Sequence, residues 1–208
     1  MKGLVLLPSL DRPHLVKEFF DSYKATEATV PGIVIIDKLD PKKEEYLKLE
    51  CPKGWSVVLT ESRSMGDKFR ETWDQYKDLD WVMVLNDDHV CMTKQWDEKV
   101  LSQINGHNVV FTNDGETPEK PWNFPKRICG AITFSGKILR ALGWIFPPGL
   151  HHLYSDDVFG FLYGRAQCAQ GLPDVCMWHK HAYLDITRRD STFKVINGDA
   201  EFQSNQPR

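Results

Sequence analysis

Short apolar runs alternate with amphipathic segments along the first half of this chain, and this alternation constrains the fold more than any other feature. The runs are too short for helices and rich in β-branched or aromatic residues, which is typical of buried strands. These predicted strands cover 3–7, 31–36, 55–59 and 81–85. Amphipathic helices are predicted between them at 14–23, 41–49 and 69–76. Because strand–helix–strand units pair in parallel with right-handed crossovers, we expect an α/β domain with a mostly parallel sheet flanked by helices.

The second half of the chain has less regular spacing. Further strands are predicted at 108–112, 128–134 and 173–178, and further helices at 96–104, 137–142 and 158–165. Ser135 suits the N-cap of the middle helix. With 208 residues the chain is long enough for one sizeable α/β domain and too short for two. We expect one domain over 1–184 and a polar tail over 185–208, which would serve as a lid or arm.

Charge and cysteine usage limit the partners and the compartment. The formal net charge of −3 gives no global attraction to nucleic acid or anionic lipid. The five cysteines are scattered and include no Cys-x-x-Cys pair, which favours reduced thiols over a disulfide framework or a zinc knuckle. The first residues lack the features of a signal peptide, and no apolar stretch is long enough to cross a bilayer. We therefore expect a cytoplasmic protein with no membrane span.

Polar side chains end the predicted strand 81–85 abruptly. The residues that follow it are Asn86, Asp87, Asp88 and His89. Ligands bind at the carboxyl ends of central strands in open α/β sheets. Adjacent carboxylates repel each other unless a cation or a donor neutralises them, so this group predicts a divalent metal or hydroxyl site. The alternative is an ordinary turn, since Asn and Asp hydrogen-bond their own backbone.

Two later clusters also carry candidate ligands. Asp156 and Asp157 stand at a predicted helix start, where acids cap the helix and meet its dipole, or where one could act as a general base. His179 and His181 follow the last predicted strand and are either exposed histidines or metal ligands. Carboxylate oxygens with an imidazole favour Mn²⁺ or Mg²⁺ over structural zinc.

Basic and acidic residues near the earlier strand ends could contact a nucleotide. Arg12 lies in the proline-containing loop after the first strand, where its guanidinium could face a phosphate or simply be exposed. Asp37 could accept hydrogen bonds from a base or ribose, or close a turn. Lys68 follows Gly66 at a helix start and could reach a diphosphate.

Taken together, these residues resemble a small GT-A fold glycosyltransferase, close to the family 2-like enzymes of bacteria and phages. The resemblance runs from Leu4 to about His181 and depends on the order and spacing of several short motifs. These are the Pro8-Ser9-Leu10-Asp11-Arg12-Pro13 loop, Gly66-Asp67-Lys68, Asn86-Asp87-Asp88-His89, Trp96-Asp97, Arg140-Ala141-Leu142-Gly143-Trp144, Pro147-Pro148-Gly149-Leu150, His152-Leu153-Tyr154, Asp156, Pro173-Asp174-Val175 and His179-x-His181.

The resemblance implies a role for each region. Residues 1–90 would form the nucleotide-sugar-binding half and 91–184 the acceptor and metal half. In the donor site, the loop containing Pro8 and Ser9 would bind the nucleoside together with Asp37. Arg12 and Lys68 would lie near the phosphates.

The same resemblance implies a metal site and a base. Asp87 and Asp88 look like an Asp-x-Asp element, with Asp87 on the ribose and Asp88 on the metal, but His89 follows them and leaves the register open by one residue. The late ligand would be His179 or His181. Asp156, with Asp157 beside it, matches the position that deprotonates the acceptor in inverting members.

The implied activity is Mn²⁺- or Mg²⁺-dependent transfer of a sugar from a nucleotide sugar, first of all a UDP-sugar, to a hydroxyl acceptor. Single displacement would invert the anomeric centre, although the sequence leaves retention open. The acceptor is equally open, from a glycan to a modified base in phage DNA. The alternatives are a non-catalytic nucleotide-sugar or carbohydrate-binding protein on the same fold, or a nucleotidyltransferase.

Overall fold

The computed structural model describes residues 1–122, 131–151 and 155–181. The described strands are β1 (Gly3–Pro8), β2 (Gly32–Asp37), β3 (Trp55–Thr60), β4 (Trp81–Val84), β5 (His89–Cys91), β6 (Val109–Asn113), β7 (Ile132–Ser135) and β8 (Ala169–His179). The described helices are α1 (Pro13–Ala25), α2 (Lys43–Leu47), α3 (Met65–Glu71), α4 (Trp73–Tyr76), α5 (Trp96–Leu101), α6 (Gly136–Leu142) and α7 (Ser155–Arg165).

The strands form one mixed sheet in the order β3-β2-β1-β4-β7-β6-β8-β5. The first half of the chain supplies the parallel block β3-β2-β1-β4, as the strand–helix alternation predicts. Strand β7 then runs antiparallel between β4 and β6. At the far edge, β8 pairs in parallel with β6 and antiparallel with β5. The carboxyl ends of β1, β2 and β4 therefore meet at one edge of the sheet.

Both faces of the sheet are buried, which explains why its strands are continuously apolar. Along β1, Val5 and Leu7 contribute to one core cluster, whereas Leu6 contributes to the other. Helix α1 packs on the first face through a stripe that includes Phe19 and Tyr23. Helices α3, α6 and α7 supply side chains to the second face. Helices therefore cover the sheet on both faces, and its loops extend from the edge where β1, β2 and β4 end.

The predicted helix at 69–76 begins earlier and is divided in two. Ser64 caps α3 by accepting a hydrogen bond from the backbone N–H of Asp67 at 3.2 Å. At the division, the Thr72 hydroxyl donates to the carbonyl of Lys68 at 2.8 Å, a local side-chain bond of the kind that bends helices. Ser135 occupies the N-cap position of α6, as predicted, but its side chain makes no capping hydrogen bond.

Two features of the sheet differ from the predicted elements. Strand β5 was not predicted, because three residues are too few to give an alternation pattern. Strand β8 begins at Ala169, four residues before the predicted start, and its register against β6 jumps from Leu172 to Cys176. This irregularity lets β8 pair with β6 first and with β5 later.

Several predictions concern residues outside the described ranges. They are the tail 185–208, positions 128–130 of a predicted strand, and the His152-Leu153-Tyr154 motif. Among the described helices, each is too short or too polar to cross a membrane.

Gly66 provides a test of how α3 meets the loop that ends at His151. An added Cβ would lie 2.4 Å from the carbonyl oxygen of Leu150, so Gly66→Ala is expected to lower the free energy of unfolding by about 1–3 kcal/mol. Gly160, in α7, has open space at the corresponding point and is the matched control. Gly160→Ala should leave stability unchanged or raise it by up to about 1 kcal/mol. Urea unfolding of both variants checks this, and equal stability would contradict the packing described.

Candidate functional site

The first part of the site joins the ends of β1 and β4, which are parallel neighbours. The Ser9 hydroxyl donates to Asp87 Oδ2 at 2.7 Å. Arg12 Nη1 lies 3.4 Å from Asp87 Oδ1, and both side chains are largely buried. Three residues predicted for donor binding are therefore brought into one network. Its basis is the parallel pairing of β1 with β4, which carries Ser9 and Asp87 to the same edge.

Helix α2 contributes Tyr46, a residue that the sequence reasoning missed. Its side chain is fully buried, and its hydroxyl lies 2.7 Å from Ser9 Oγ. The same hydroxyl accepts a hydrogen bond from the Arg12 backbone N–H at 2.7 Å. In a Lys- and Glu-rich helix, a lone tyrosine indicates a core contact, so its sequence context gave no sign of this role.

Lys68 lies beneath this loop instead of on its surface. The side chain is 2 % exposed, and its ammonium group donates to the carbonyl oxygen of Ser9 at 2.6 Å. Burial lowers the pKa of Lys68 to about 8, although Asp40, Asp37 and Asp87 oppose that shift. The contact ties α3 to the loop after β1.

Asp37 ends β2 at the same edge and is buried. Its Oδ1 accepts the backbone N–H of Leu39 at 2.8 Å, which is the turn-closing bond that the sequence offered as one alternative. Its neighbour Asp40 accepts hydrogen bonds from the backbone N–H groups of Asp11 and Lys42, each at 2.8 Å. The β2–α2 connection is thus bonded to the loop after β1.

The second part of the site is a group of three potential metal ligands, Asp88, His89 and His179. One ligand atom from each lies within 4.8 Å of the others. His89 and His179 are direct cross-strand partners of β5 and β8, and their rings stack with centroids 4.4 Å apart and planes 13° apart. Asp88 Oδ1 lies 3.1 Å from His179 Nε2. The antiparallel β5–β8 pairing therefore brings together residues 91 positions apart in the sequence.

Buried polar atoms in this group fit a cation. Asp88 Oδ1 and His89 Nε2 are buried and have no hydrogen-bond partner among the described residues; the 3.1 Å contact of Asp88 with His179 has an ion-pair distance without hydrogen-bond geometry. Two ligand atoms at right angles around an ion, each about 2.1 Å from it, are about 3 Å apart. The distance between Asp88 Oδ1 and His179 Nε2 matches this separation. An ion at this position would neutralise a carboxylate that is costly to bury alone.

The protonation states of the group suit metal binding. Burial alone would raise the pKa of Asp88, but the neighbouring His179 outweighs it and holds the pKa below its usual range. Burial and His179 lower the pKa of His89 to about 3, which keeps this imidazole neutral. Burial raises the pKa of Asp87, partly offset by Arg12. The ionised carboxylate of Asp88 and the neutral imidazole of His89 are the forms that bind metal ions.

His181 lies next to this group, outside the set of three. Its ring centroid is 4.8 Å from that of His179, in an edge-on arrangement. Trp122 borders both histidines, with its ring centroid 5.8 Å from that of His181 and 6.2 Å from that of His179. The structure thus places both predicted histidines and Asp88 together, and it adds His89 as the better-placed third donor.

Asp156 and Asp157 lie in the first turn of α7, where the sequence predicts them. Asp157 is exposed and Asp156 is half-buried. Before this helix, the carbonyl of His151 accepts the backbone N–H of Gly66 at 2.9 Å, and His151 Nδ1 lies 3.3 Å from Asp67 Oδ2. His151 is therefore held against the start of α3.

Comparisons with known proteins identify the fold. No protein-family model and no curated protein sequence matches the chain. Among solved structures, the mannosyltransferase PcManGT from Pyrobaculum calidifontis, in complex with GDP-Man and Mn²⁺, has a TM-score of 0.63 at 14% identity. That match covers 85% of this chain and 56% of the mannosyltransferase, so this chain spans just over half of its length.

Two further structures match over more of their own length. Glucosyl-3-phosphoglycerate synthase from Mycobacterium tuberculosis, in complex with Mn²⁺, UDP and glucosyl-3-phosphoglycerate, has a TM-score of 0.59 at 14% identity, covering 94% of this chain and 79% of that one. A proposed glucose-1-phosphate thymidylyltransferase from Bacillus anthracis has a TM-score of 0.54 at 14% identity, covering 98% and 99%. The fold is that of GT-A-like nucleotide-diphospho-sugar transferases, which confirms the predicted α/β domain with a mostly parallel mixed sheet.

Lys68 gives the site a pH dependence that stability measurements can detect. Its pKa in the folded protein, about 8, lies below the 10.5 of the free side chain, so between these values the unfolded chain binds a proton that the folded chain does not. The contribution of Lys68 to stability should therefore rise with pH in this window, by about 1–3 kcal/mol from pH 8 to pH 10. Lys68→Met should lack this rise. Urea unfolding of both proteins across that range checks it, and parallel pH curves would refute the assignment.

Proposed function

We propose that this protein is a metal-dependent glycosyltransferase that moves a sugar from a nucleotide-sugar donor to a hydroxyl acceptor. The observation that carries the proposal is the buried group of Asp88, His89 and His179 next to the network of Asp87, Ser9 and Arg12. The two parts lie at one sheet edge. They are neighbours in the chain, because Asp87 belongs to the network and Asp88 to the group of ligands. This is the arrangement needed to hold a diphosphate between a cation and a guanidinium.

Each side of the donor has proposed contacts. Pro8, Ser9 and Asp37, at the ends of β1 and β2, contact the nucleoside, and Asp87 faces the ribose. Arg12 binds the phosphates, because its guanidinium is the planar group suited to bidentate phosphate contacts. Lys68 supports the same loop from beneath by holding the Ser9 carbonyl.

The two consecutive aspartates take different parts in this proposal. Both oxygens of Asp87 already face protein donors, Ser9 and Arg12. Asp88 has a buried oxygen with no hydrogen bond among the described residues, so we assign the metal to Asp88 and His179, with His89 or His181 as the third ligand. When bound, the ion supplies positive charge to the leaving diphosphate. Imidazole nitrogen among the ligands favours Mn²⁺ over Mg²⁺, which prefers oxygen.

The acceptor side requires a base. Asp156 is the proposed general base, with Asp157 as the alternative, and it would take the proton from the acceptor hydroxyl as that oxygen attacks the anomeric carbon. The bond from this carbon to the diphosphate breaks as the new glycosidic bond forms. A single displacement of this kind inverts the anomeric centre.

Nucleotidyl transfer is the second candidate function. The match to the proposed thymidylyltransferase covers nearly all of both chains, which favours this alternative on grounds of size. The products separate the two reactions. A glycosyltransferase releases a nucleoside diphosphate from a nucleotide sugar. A nucleotidyltransferase joins a nucleoside triphosphate to a sugar phosphate and releases pyrophosphate from the triphosphate.

Mn²⁺-dependent donor cleavage is the central prediction. With UDP-glucose or GDP-mannose and Mn²⁺, the protein should release the nucleoside diphosphate, and EDTA should abolish that release. Asp88→Asn and His179→Gln should each lower the rate at least about 100-fold and weaken stabilisation by Mn²⁺. Asp74→Asn, which removes an exposed carboxylate on α4, is the matched control and should act like wild type. Chromatography of the products checks this.

The outcomes of that screen are distinct. Pyrophosphate release from UTP or dTTP with glucose-1-phosphate, in place of donor cleavage, would replace the proposal with nucleotidyl transfer. Binding of UDP-glucose or GDP-mannose without cleavage or transfer would indicate the non-catalytic alternative. Full activity in EDTA would refute the metal site.

The two aspartates of α7 are separated by a second pair of variants. Asp156→Asn should lower transfer to an acceptor by about 100- to 10,000-fold, because it removes the general base, while donor affinity stays near wild type. Asp157→Asn is the matched control and should retain activity. Initial rates and titration of UDP in the presence of Mn²⁺ check this, and the reverse ranking would move the role of base to Asp157.

A further inference from the structure

Tyr46 is fully buried, and its hydroxyl reaches the proposed donor site instead of the core. It lies 2.7 Å from Ser9 Oγ and accepts the Arg12 backbone N–H at 2.7 Å. Ser9 and Arg12 in turn contact the two oxygens of Asp87. One tyrosine hydroxyl therefore bonds to both residues that orient this carboxylate.

The direction of each hydrogen bond follows from counting protons. The Ser9 hydroxyl has a single hydrogen, which it donates to Asp87 Oδ2. The hydrogen between Tyr46 and Ser9 must therefore come from Tyr46, which is left to accept the N–H of Arg12. Burial raises the pKa of Tyr46 far above 10, so the phenol keeps this hydrogen. The Arg12 side chain closes the ring on Asp87 Oδ1.

The loop that this ring holds is contacted by neighbouring elements of the fold. Asp11 has a φ of 57°, a left-handed conformation that is uncommon outside glycine. Arg12 occupies the N-cap position of α1 without a side-chain capping bond. Besides Lys68, the segment leading into α2 fixes the loop: Asp40 accepts the N–H of Asp11, and Lys42 donates to the carbonyl of Asp11 at 3.0 Å. Tyr46 completes this set of contacts from one short segment.

We propose that Tyr46 is a positioning residue for the nucleotide-sugar donor, acting through Ser9 and the Arg12 backbone to hold Arg12 and Asp87 in their binding geometry. This inference rests on the proposed function, because it takes the Asp87 network to be the donor site. Tyr46 itself need not touch the donor. Its ring fills the core, and its hydroxyl sets the conformation of the loop.

The chain offers a matched control for removing one buried tyrosine hydroxyl. Tyr23 is also buried, and its hydroxyl donates to the carbonyl of Val30 at 2.7 Å, within the contacts of α1. Tyr46→Phe and Tyr23→Phe each remove one oxygen from a buried ring. A purely structural role predicts that both variants lose stability and that both leave donor binding unchanged.

The test measures UDP and GDP binding with Mn²⁺ by calorimetry, and KM and kcat for UDP-glucose and GDP-mannose. Tyr46→Phe should raise Kd and KM by about tenfold, with kcat at saturating donor within about twofold of wild type, since two buried hydrogen bonds are lost from the loop and none from the reacting atoms. Tyr23→Phe should leave both within about twofold. The Tyr46→Phe/Ser9→Ala double variant should bind more weakly than Ser9→Ala alone, because only Tyr46→Phe removes the acceptor of the Arg12 N–H. The combined effect should still be less than the sum of the two single effects, because both changes break the Tyr46–Ser9 bond.

The results separate the two proposals. If wild type binds and cleaves a nucleotide sugar but Tyr46→Phe behaves like Tyr23→Phe, the positioning role is refuted and the proposed function stands. Additive effects of Tyr46→Phe and Ser9→Ala would also refute it. If wild type neither binds nor cleaves any of these nucleotides, the proposed function fails, and the positioning role fails with it.

Discussion

Two adjacent carboxylates, Asp87 and Asp88, are buried at the end of a central strand, and the surrounding structure is arranged to bear their charge. Neither could remain ionised there without compensation, because a charge removed from water costs several kcal/mol. The protein compensates each one separately. Asp87 receives the Ser9 hydroxyl and the Arg12 guanidinium, while Asp88 faces His179. The division directs one carboxylate toward the loop after β1 and the other toward the histidines.

The histidine side of the site depends on the irregular course of β8. If β8 continued in register with β6 beyond Leu172, residues 173–175 would occupy the ladder, and His179 would lie further along the strand. The register jump to Cys176 shortens that path. The remaining residues then pair with β5, which directly follows Asp88 in the chain. The metal group is therefore a product of strand pairing as much as of residue type.

Much of the fold follows from the sequence, because its strands are buried on both faces and are punctuated by turn residues. β1, β2, β3 and β4 lie within two residues of their predicted positions. Three-residue β5 left no periodic signal, and its pairing with the end of β8 is a long-range contact that local patterns do not encode. The division of the 69–76 helix depends on a Thr72 hydroxyl bond that the spacing of apolar residues does not report.

The site shows the same limit. Asp87 and Asp88 could be singled out because they follow a predicted strand closely, and His179 because it follows the last predicted strand. Tyr46 and the burial of Lys68 could not be located, since both depend on tertiary contacts with Ser9. Sequence patterns identify polar side chains that follow a strand. They do not show which polar groups elsewhere become buried through tertiary contacts. Tyr46 has an apolar ring that packs in the core and a hydroxyl that hydrogen-bonds in the candidate site, and the sequence indicates only the first of these.

The pairing of His89 with His179 has a thermodynamic consequence. An ion held by Asp88 and His179 would link the end of β4 to the end of the last described strand, and would do so in the folded chain alone. Free ion would then shift the unfolding equilibrium by mass action, in proportion to the logarithm of its concentration over its dissociation constant. Metal availability would thereby set how firmly β8 and the edge strand β5 are joined to the parallel block, and the stability of this end of the sheet would follow the ionic composition around it.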